Sequence, residues 1–315
     1  MSKAQPISSA QYQLHHKTVY QYQFPVSLSH HSAHLQPRNS ASQSVKEFRL
    51  KIHPDHQYIN KRTDFFGNSV HFFSVESPHE TLVVESFSKV TVEKPELPDP
   101  LTSPTCAEVR EYLSTGGNSA HQTADIQQFL FPSESIPYLP SAKMYASPYF
   151  SDDSNFLVAC CRLALDIFDE FEFSSSATDV STPLEKVLEL KKGVCQDFAH
   201  LMIACLRSCN LPARYVSGYI LTEPPEGRER LIGADASHAW VSVFIPHFGW
   251  VDIDPTNAQL CGIDYISVAY GRDFHDVSPV KGSVLGGGDQ KLSIAVTMAP
   301  ESEHSLADSK IPLFL

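Results

Sequence analysis

The sequence of 315 residues lacks features that define several large classes of proteins. It has no run of 18 apolar residues that could cross a membrane, and its first residues lack the apolar core of a signal peptide. Positive charge is scarce, since 24 lysines and arginines face 36 aspartates and glutamates, for a net charge of −12. This balance argues against nucleic acid or an anionic membrane surface as the main partner. We therefore expect a soluble, cytoplasmic protein.

Metal and disulfide motifs are also lacking. The seven cysteines include no CxxC pair and follow no regular spacing, so we expect reduced thiols. Nine of the fifteen histidines precede residue 80, but without the cysteine or carboxylate partners of known metal motifs. We favour solvated or hydrogen-bonded histidines there over a metal site. No DxDxDG loop indicates calcium, and the sequence predicts neither a metal nor a cofactor.

The first part of the chain has the pattern of β-strands. Residues 11–93 alternate apolar and polar side chains in short segments, with turn residues between them. This spacing predicts an N-terminal antiparallel β-sandwich-like domain over residues 1–95. Four prolines in residues 93–105 indicate a stiff linker, and we assign 96–147 to this linker and a connecting helix.

Beyond the linker the spacing of apolar residues becomes helical. Helices are predicted at 106–113, 156–171 and 183–192, and a further one begins at Cys195. Strands are predicted at 213–221, 238–246, 249–255 and 291–298. Helices followed by an antiparallel sheet predict an α+β domain over residues 148–315, with the last strand included.

One cysteine has a distinctive setting. Cys195 follows Gly193-Val194 and opens a stretch in which apolar residues recur at helical spacing. A thiol in the first turn of a helix lies at the positive end of the helix dipole, which favours the nucleophilic thiolate. The backbone N–H at the same position is a natural oxyanion donor. Cys195 is therefore a candidate nucleophile.

A cysteine nucleophile in acyl transfer needs a base and a group that orients the base. His238 begins one predicted strand, Asp254 ends the next, and the short loop at 246–249 predicts a hairpin between them. Adjacent antiparallel strands would bring the imidazole and the carboxylate within hydrogen-bonding reach. Asp252 is an alternative acid, because strand alternation places it on the same face as Asp254.

Other polar and aromatic groups near these candidates are assigned structural roles. Asp197 lies in the first helical turn, where a carboxylate stabilises the dipole. His200 lies about 140° around the helix from Cys195, away from its face. Trp240 and Trp250 are the only tryptophans. We assign them to core packing, with a wall of the substrate channel as the alternative.

Two segments resemble a known family. They are GVCQDFAHLMIACLRSCNLPARYVSGYI (193–220) and ASHAWVSVFIPHFGWVDIDPTNA (236–258), and both are similar to the core of the transglutaminase-like superfamily. The N-terminal module with DFFGN (64–68), and the tail 271–296, are similar to parts of bacterial transglutaminase-like proteins with an N-terminal β-domain. The resemblance implies a papain-like arrangement of catalytic Cys195, His238 and Asp254, with helices packed on an antiparallel sheet.

The resemblance also implies an activity. We expect cysteine-dependent acyl transfer on a peptide or protein substrate, or another carboxamide, through a thioester. Hydrolysis by a cysteine peptidase or amidase is favoured because water is always available. The alternatives are a protein-glutamine transglutaminase, in which an amine accepts the acyl group, and a binding or scaffold protein that keeps the fold without turnover.

Overall fold

The computed structural model describes residues 8–55, 58–116, 120–179, 181–222, 237–301 and 311–314. Within these ranges the chain forms an N-terminal antiparallel sheet, a group of helices and a second antiparallel sheet. The α+β class predicted from the sequence is confirmed. No helix in these ranges is long and apolar enough to cross a membrane.

The N-terminal sheet is built around one long strand. Its first strands are β1 (Ser9–Ala33), β2 (Gln43–His53), β3 (Tyr58–Thr63), β4 (Ser69–Val75) and β5 (His79–Glu93). The first part of β1 pairs with β5 and its last part with β4, with a register shift between them. Side chains from both parts, such as Val26, Phe73 and Leu82, pack into one buried cluster. The sheet therefore folds onto itself as a sandwich would.

The remaining elements alternate between helices and strands. In chain order they are α1 (Cys106–Thr115), α2 (Ala120–Gln127), α3 (Pro140–Ala146), α4 (Phe156–Glu170), β6 (Glu172–Phe173), α5 (Leu184–Leu190), β7 (Lys192–Gly193), α6 (Cys195–Ser208), β8 (Ala213–Ile220), β9 (Ser237–Ile245), β10 (Gly249–Asp254), β11 (Gln259–Leu260), β12 (Tyr265–Gly271), α7 (Phe274–Val277), β13 (Val280–Gly286), β14 (Gln290–Pro300) and β15 (Ile311–Pro312). Predicted helices correspond to α1, α4, α5 and α6, and the strands predicted around the site correspond to β8, β9 and β10.

The second sheet carries the central helix. Its strand order is β12-β8-β9-β10-β11-β15 in the described part of the chain. Helix α6 packs on β8 and β9, while α3, α4 and α5 contact it from other sides. As a result every residue of α6 from Asp197 to Ser208 is buried. The apolar spacing predicted one buried face, but the surrounding helices cover the other face too.

The C-terminal strands pair with the N-terminal sheet. Residues 291–298 were expected to extend the sheet of the 148–315 domain, but β14 pairs with the first part of β1, and β13 pairs with its last part. That expectation is wrong because alternation identifies a strand without identifying its partner. Val296 and Met298 of β14 pack in the same buried cluster as Tyr12 and as residues of α6. The two sheets thus share one core.

Two amide side chains join the N-terminal sheet to the edge of the second sheet. Gln43 Nε2 donates to Ser267 O and its Oε1 accepts from Ser267 N, both at 2.8 Å. Asn68 Nδ2 and Oδ1 make the same pair of 2.8 Å bonds with Tyr270 O and N. Gln43 and Asn68, the amide clamp, therefore satisfy the outer backbone groups of β12, which an edge strand leaves unpaired.

Candidate active site

The start of α6 is shaped by a carboxylate three residues into the helix. Asp197 Oδ2 accepts hydrogen bonds from Val194 N at 2.8 Å and from Thr178 Oγ1 at 2.7 Å. A Cβ at Gly193 would lie 2.7 Å from this oxygen, so the glycine leaves room for the turn. Cys195 is the first helical residue and is half-buried. Its backbone N–H is one of those that have no acceptor within the helix.

The structure brings the three candidate residues together. The side chain of Cys195 forms a hydrogen bond with His238 on β9. His238 Nε2 lies 2.7 Å from Asp254 Oδ2 at the end of β10. The hairpin predicted between these strands is confirmed by their antiparallel pairing. Because Nε2 is engaged by the carboxylate, Nδ1 is left to face the thiol.

The charges of this pair follow from its burial and contacts. Burial lowers the pKa of His238, but the nearby Asp254 charge and hydrogen bonds to Asp254 and Cys195 outweigh burial and raise it to about 10. Burial raises the pKa of Asp254, yet the His238 charge and the donated hydrogen bonds hold it below its usual value. Near neutral pH the pair is therefore an imidazolium beside a carboxylate.

Other groups besides His238 also hold the Asp254 carboxylate in place. Its Oδ2 also accepts from Tyr265 OH and from Asn257 Nδ2, each at 2.7 Å, and its Oδ1 accepts from Thr256 N at 2.8 Å. The Thr256 contact is an Asx turn, in which the carboxylate binds the backbone two residues on. Tyr265 and Asn257 are not predicted from the sequence. Asn257 stands in the DPTN stretch, which is a local signal, whereas Tyr265 comes from a separate strand.

Asp252, the alternative acid, forms a hydrogen bond with a tryptophan. Asp252 Oδ2 accepts a hydrogen bond from Trp240 Nε1 at 3.1 Å. Trp240 is fully buried, and its ring leaves no space for a side chain at Gly218, where a Cβ would lie 2.4 Å from the indole. Asp254, and not Asp252, is thus the carboxylate that contacts His238.

His200 is engaged by the backbone of α7. His200 Nε2 accepts a hydrogen bond from Phe274 N at 3.1 Å. Burial lowers the pKa of His200 to about 3, so the ring is neutral. These contacts agree with the structural role expected for this residue.

A cavity lies next to the start of α6. It has a volume of about 410 Å³, and Gln196 and Asp197, the two residues after Cys195, line it. Glu134, Glu185 and His275 also line it, whereas Cys195 and His238 are not among its lining residues.

Two family models match the chain. The model described as the transglutaminase-like superfamily matches residues 144–255, and the bacterial transglutaminase-like N-terminal region matches residues 12–91. An uncharacterized protein of Mycobacterium tuberculosis H37Rv is 36% identical over 301 residues, which cover 94% of this chain and 95% of that protein.

Two further relatives carry functional descriptions. A protein-glutamine gamma-glutamyltransferase of Pseudomonas aeruginosa is 37% identical over 71 residues, which cover 22% of this chain and 11% of that protein. Among solved structures, a candidate cysteine protease from Cytophaga hutchinsonii has a TM-score of 0.73 at 19% identity, and the match covers 98% of this chain and 95% of that chain. This last likeness shows a common fold.

Proposed function

The chain belongs to the transglutaminase-like superfamily, whose members are generally cysteine-based enzymes, and from this premise we propose that it transfers acyl groups from peptide or carboxamide substrates. One observation supports the proposal most strongly. Cys195 at a helix start contacts His238, and the other ring nitrogen of His238 is held by the fully buried Asp254. These are the nucleophile, the base and the orienting acid that acyl transfer requires.

Each group has a defined step in the proposed reaction. The thiol proton resides on His238, and the Cys195 sulfur attacks the substrate carbonyl carbon to form a C–S bond. The oxyanion is stabilised by the Cys195 backbone N–H. When the tetrahedral adduct collapses, the C–N bond breaks and the leaving amine or ammonia takes the proton from His238. A thioester remains on Cys195.

Hydrolysis is the proposed fate of the thioester. Water attacks the acyl carbon while His238 accepts a proton, and the thiolate leaves with the acid as product. Cys195 is only half-buried, and Gln196 beside it lines a partly open cavity, which favours access of water. The common fold with the candidate cysteine protease from Cytophaga hutchinsonii supports this choice.

Amine transfer is the second candidate. The segment shared with the gamma-glutamyltransferase of Pseudomonas aeruginosa favours it, although the shared part is short. In that case a primary amine replaces water as the acceptor, and the earlier steps are unchanged.

A binding protein without turnover is the third candidate, and it predicts that Cys195→Ala keeps the full biological effect. The proposed location is the cytoplasm.

Product analysis distinguishes these candidates. The protein is incubated with a peptide library, with and without a primary amine, and the products are identified by mass spectrometry. Cleaved peptides indicate a peptidase, side-chain amides converted to acids indicate an amidase, and amine adducts indicate a transglutaminase. Cys195→Ala is the control and is expected to abolish all three. Products that persist in this variant would exclude Cys195 as the nucleophile.

Alkylation tests the nucleophile without a substrate. Cys195 and Cys209 are both half-buried, but only Cys195 contacts a histidine in the described residues. Burial raises the pKa of the Cys209 thiol, and burial raises the pKa of Cys205 and Cys261 as well. We expect iodoacetamide to label Cys195 first near neutral pH. Equal labelling rates at Cys195 and Cys209 would contradict an activated thiol.

A further inference from the structure

A second cavity lies between the N-terminal sheet and the second sheet. Its volume is about 230 Å³. Ser42 and Val92 line it from the N-terminal side, and Arg214, Asp252 and Tyr265 line it from the other side. Cys195 and His238 are not among its lining residues, so the cavity is separate from the proposed nucleophile.

An arginine that stacks on two aromatic rings lines the cavity. The guanidinium carbon of Arg214 lies 4.1 Å from the ring centre of Trp250 and 3.8 Å from that of Tyr270. Such stacking stabilises the cation and fixes its plane. Since all the N–H donors of a guanidinium lie in its plane, a polar partner can reach Arg214 only at its edge.

No acceptor within the described residues meets that edge. Arg214 Nε is buried without a hydrogen-bond partner among the described residues. Asp252 lies nearby, but its Oδ2 accepts from Trp240. Burial lowers the pKa of Arg214, which reflects the poor solvation of its charge. The side chain of Arg214 is half-buried, and a cation partly removed from water without an acceptor is costly, so this edge is arranged for an anion.

We propose that the cavity binds a small monocarboxylate whose two oxygens accept parallel hydrogen bonds from Arg214. A carboxylate matches the planar fork of a guanidinium, which gives two bonds in one plane. Asp252 and the exposed Glu93 and Glu96 also line the cavity and repel ligands of higher negative charge. The small volume likewise excludes nucleotides and other polyanions. Tyr265 lines the cavity and donates to Asp254, which is not itself a lining residue.

Tryptophan fluorescence can report this binding in the full chain. Trp250 stacks on Arg214 and Trp240 bonds to Asp252, and the chain has no other tryptophan. Titration with butyrate is expected to give a saturable change. Butyramide has the same size without the charge and is expected to bind at least about tenfold more weakly. Arg214→Gln should weaken butyrate binding by a similar factor.

The controls separate the site from charge effects and from the nucleophile. Arg49→Gln removes the same charge at an exposed position and should leave the Kd for butyrate unchanged. Cys195→Ala should also bind butyrate as the unaltered protein does, which would place the ligand outside the reaction centre.

If Arg214→Gln fails to fold, a variant that fills the cavity tests the proposal instead. Ser42→Phe enters the cavity from the N-terminal side and keeps Arg214 in place, so it is expected to abolish the butyrate signal. Three results would overturn the proposal: no saturable change with butyrate, equal binding of butyrate and butyramide, or unchanged affinity in folded Arg214→Gln or Ser42→Phe.

Discussion

The N-terminal sheet and the second sheet both bury histidines, and the two sets differ in charge at neutral pH. Burial lowers the pKa of His16 and of His31 to about 4, and neighbouring histidines add to this effect. His238 is as deeply buried, yet its pKa is raised to about 10. The difference is a carboxylate. Asp254 lies 2.7 Å from His238, whereas His16 meets the hydroxyls of Thr18 and Tyr219.

This contrast shows that burial alone does not make a catalytic histidine. A buried imidazole without a carboxylate stays neutral and serves as a packing group, as His31 does when it stacks on Phe73 at 5.0 Å between ring centres. A buried imidazole with a fixed carboxylate can hold the proton of a neighbouring thiol. The chemistry proposed for the second sheet therefore depends on Asp254 and on the groups that bind it.

Asp254→Asn would give His238 the environment of the N-terminal histidines, and it has the largest expected effect. Without the carboxylate, burial dominates and the pKa of His238 falls below its ordinary value. The imidazole also loses its fixed tautomer, so we expect kcat to drop about 10⁴-fold. Activity assays and an NMR titration of the His238 ring measure the two effects.

Asp252→Asn is the matched control for this change. It removes the same charge from the same strand, but its carboxylate contacts Trp240 and not His238. We expect a far smaller loss of activity and a cationic His238 at neutral pH. A similar loss of activity in both variants would mean that any carboxylate of this strand, and not the contact with His238, accounts for the difference in histidine charge between the two sheets.

Tyr265→Phe tests the groups that hold Asp254, with a smaller expected effect. A hydrogen bond to a charged group contributes about 1.5–3 kcal/mol, so kcat should fall roughly tenfold to a hundredfold. Because the Tyr265 bond helps to lower the pKa of Asp254, its loss should raise that pKa and move the acidic limb of the pH–rate profile to higher pH.

The control for Tyr265→Phe is a tyrosine that bonds to a histidine of the N-terminal sheet. Tyr219→Phe removes an equally buried hydroxyl that bonds to His16, and it should leave both kcat and the pH profile unchanged. If Tyr219→Phe moved the profile as far as Tyr265→Phe did, the bond to Asp254 would not be the cause.

The two sheets should also respond to pH in opposite directions. The folded pKa of His16 is about 4, below the value of about 6.5 in an unfolded chain. The unfolded chain therefore binds more protons, and stability falls as the pH drops from about 6.5 towards 4. For His238 the folded value is about 10, so its contribution is full below pH 6.5 and is lost as the pH rises through 10.

His16→Gln sharpens this test. The titration of His16 between pH 7 and pH 5 lowers the free energy of unfolding by roughly 2 kcal/mol. Urea unfolding at both pH values should show a smaller loss in His16→Gln than in the unaltered protein. His238→Gln should leave the acid side unchanged and flatten the alkaline side. If the free energy of unfolding fell equally with and without His16, the titration of His16 would not be the cause of the loss of stability in acid.

The parts of the fold that local patterns encode could be predicted from the sequence. Apolar spacing and turn residues placed α4, α5 and α6 and the hairpin of β9 and β10, and they positioned Cys195 and His238 correctly on these elements. Alternation left Asp252 and Asp254 equivalent, because both lie on one face of β10. The family resemblance favoured Asp254, and the structure shows the physical reason, since Asp252 accepts a hydrogen bond from Trp240.

Features that depend on distant pairing were not predicted. Tyr265 reaches Asp254 from another strand, and nothing in its local sequence marks that contact. The pairing of β14 with β1 and the amide clamp likewise join segments more than 200 residues apart. Strand alternation has the same period for any partner, so such pairings follow from the packed core and not from local sequence.

The pairing of β1 with β13 and β14 also constrains how the protein is made. A ribosome synthesises β1 before these two strands, so one edge of β1 stays open while the residues between them are produced. Val296 and Met298 enter the shared core only then. A transcript truncated before residue 280 would yield a chain with an open sheet and an incomplete core, which favours aggregation over a partly active product.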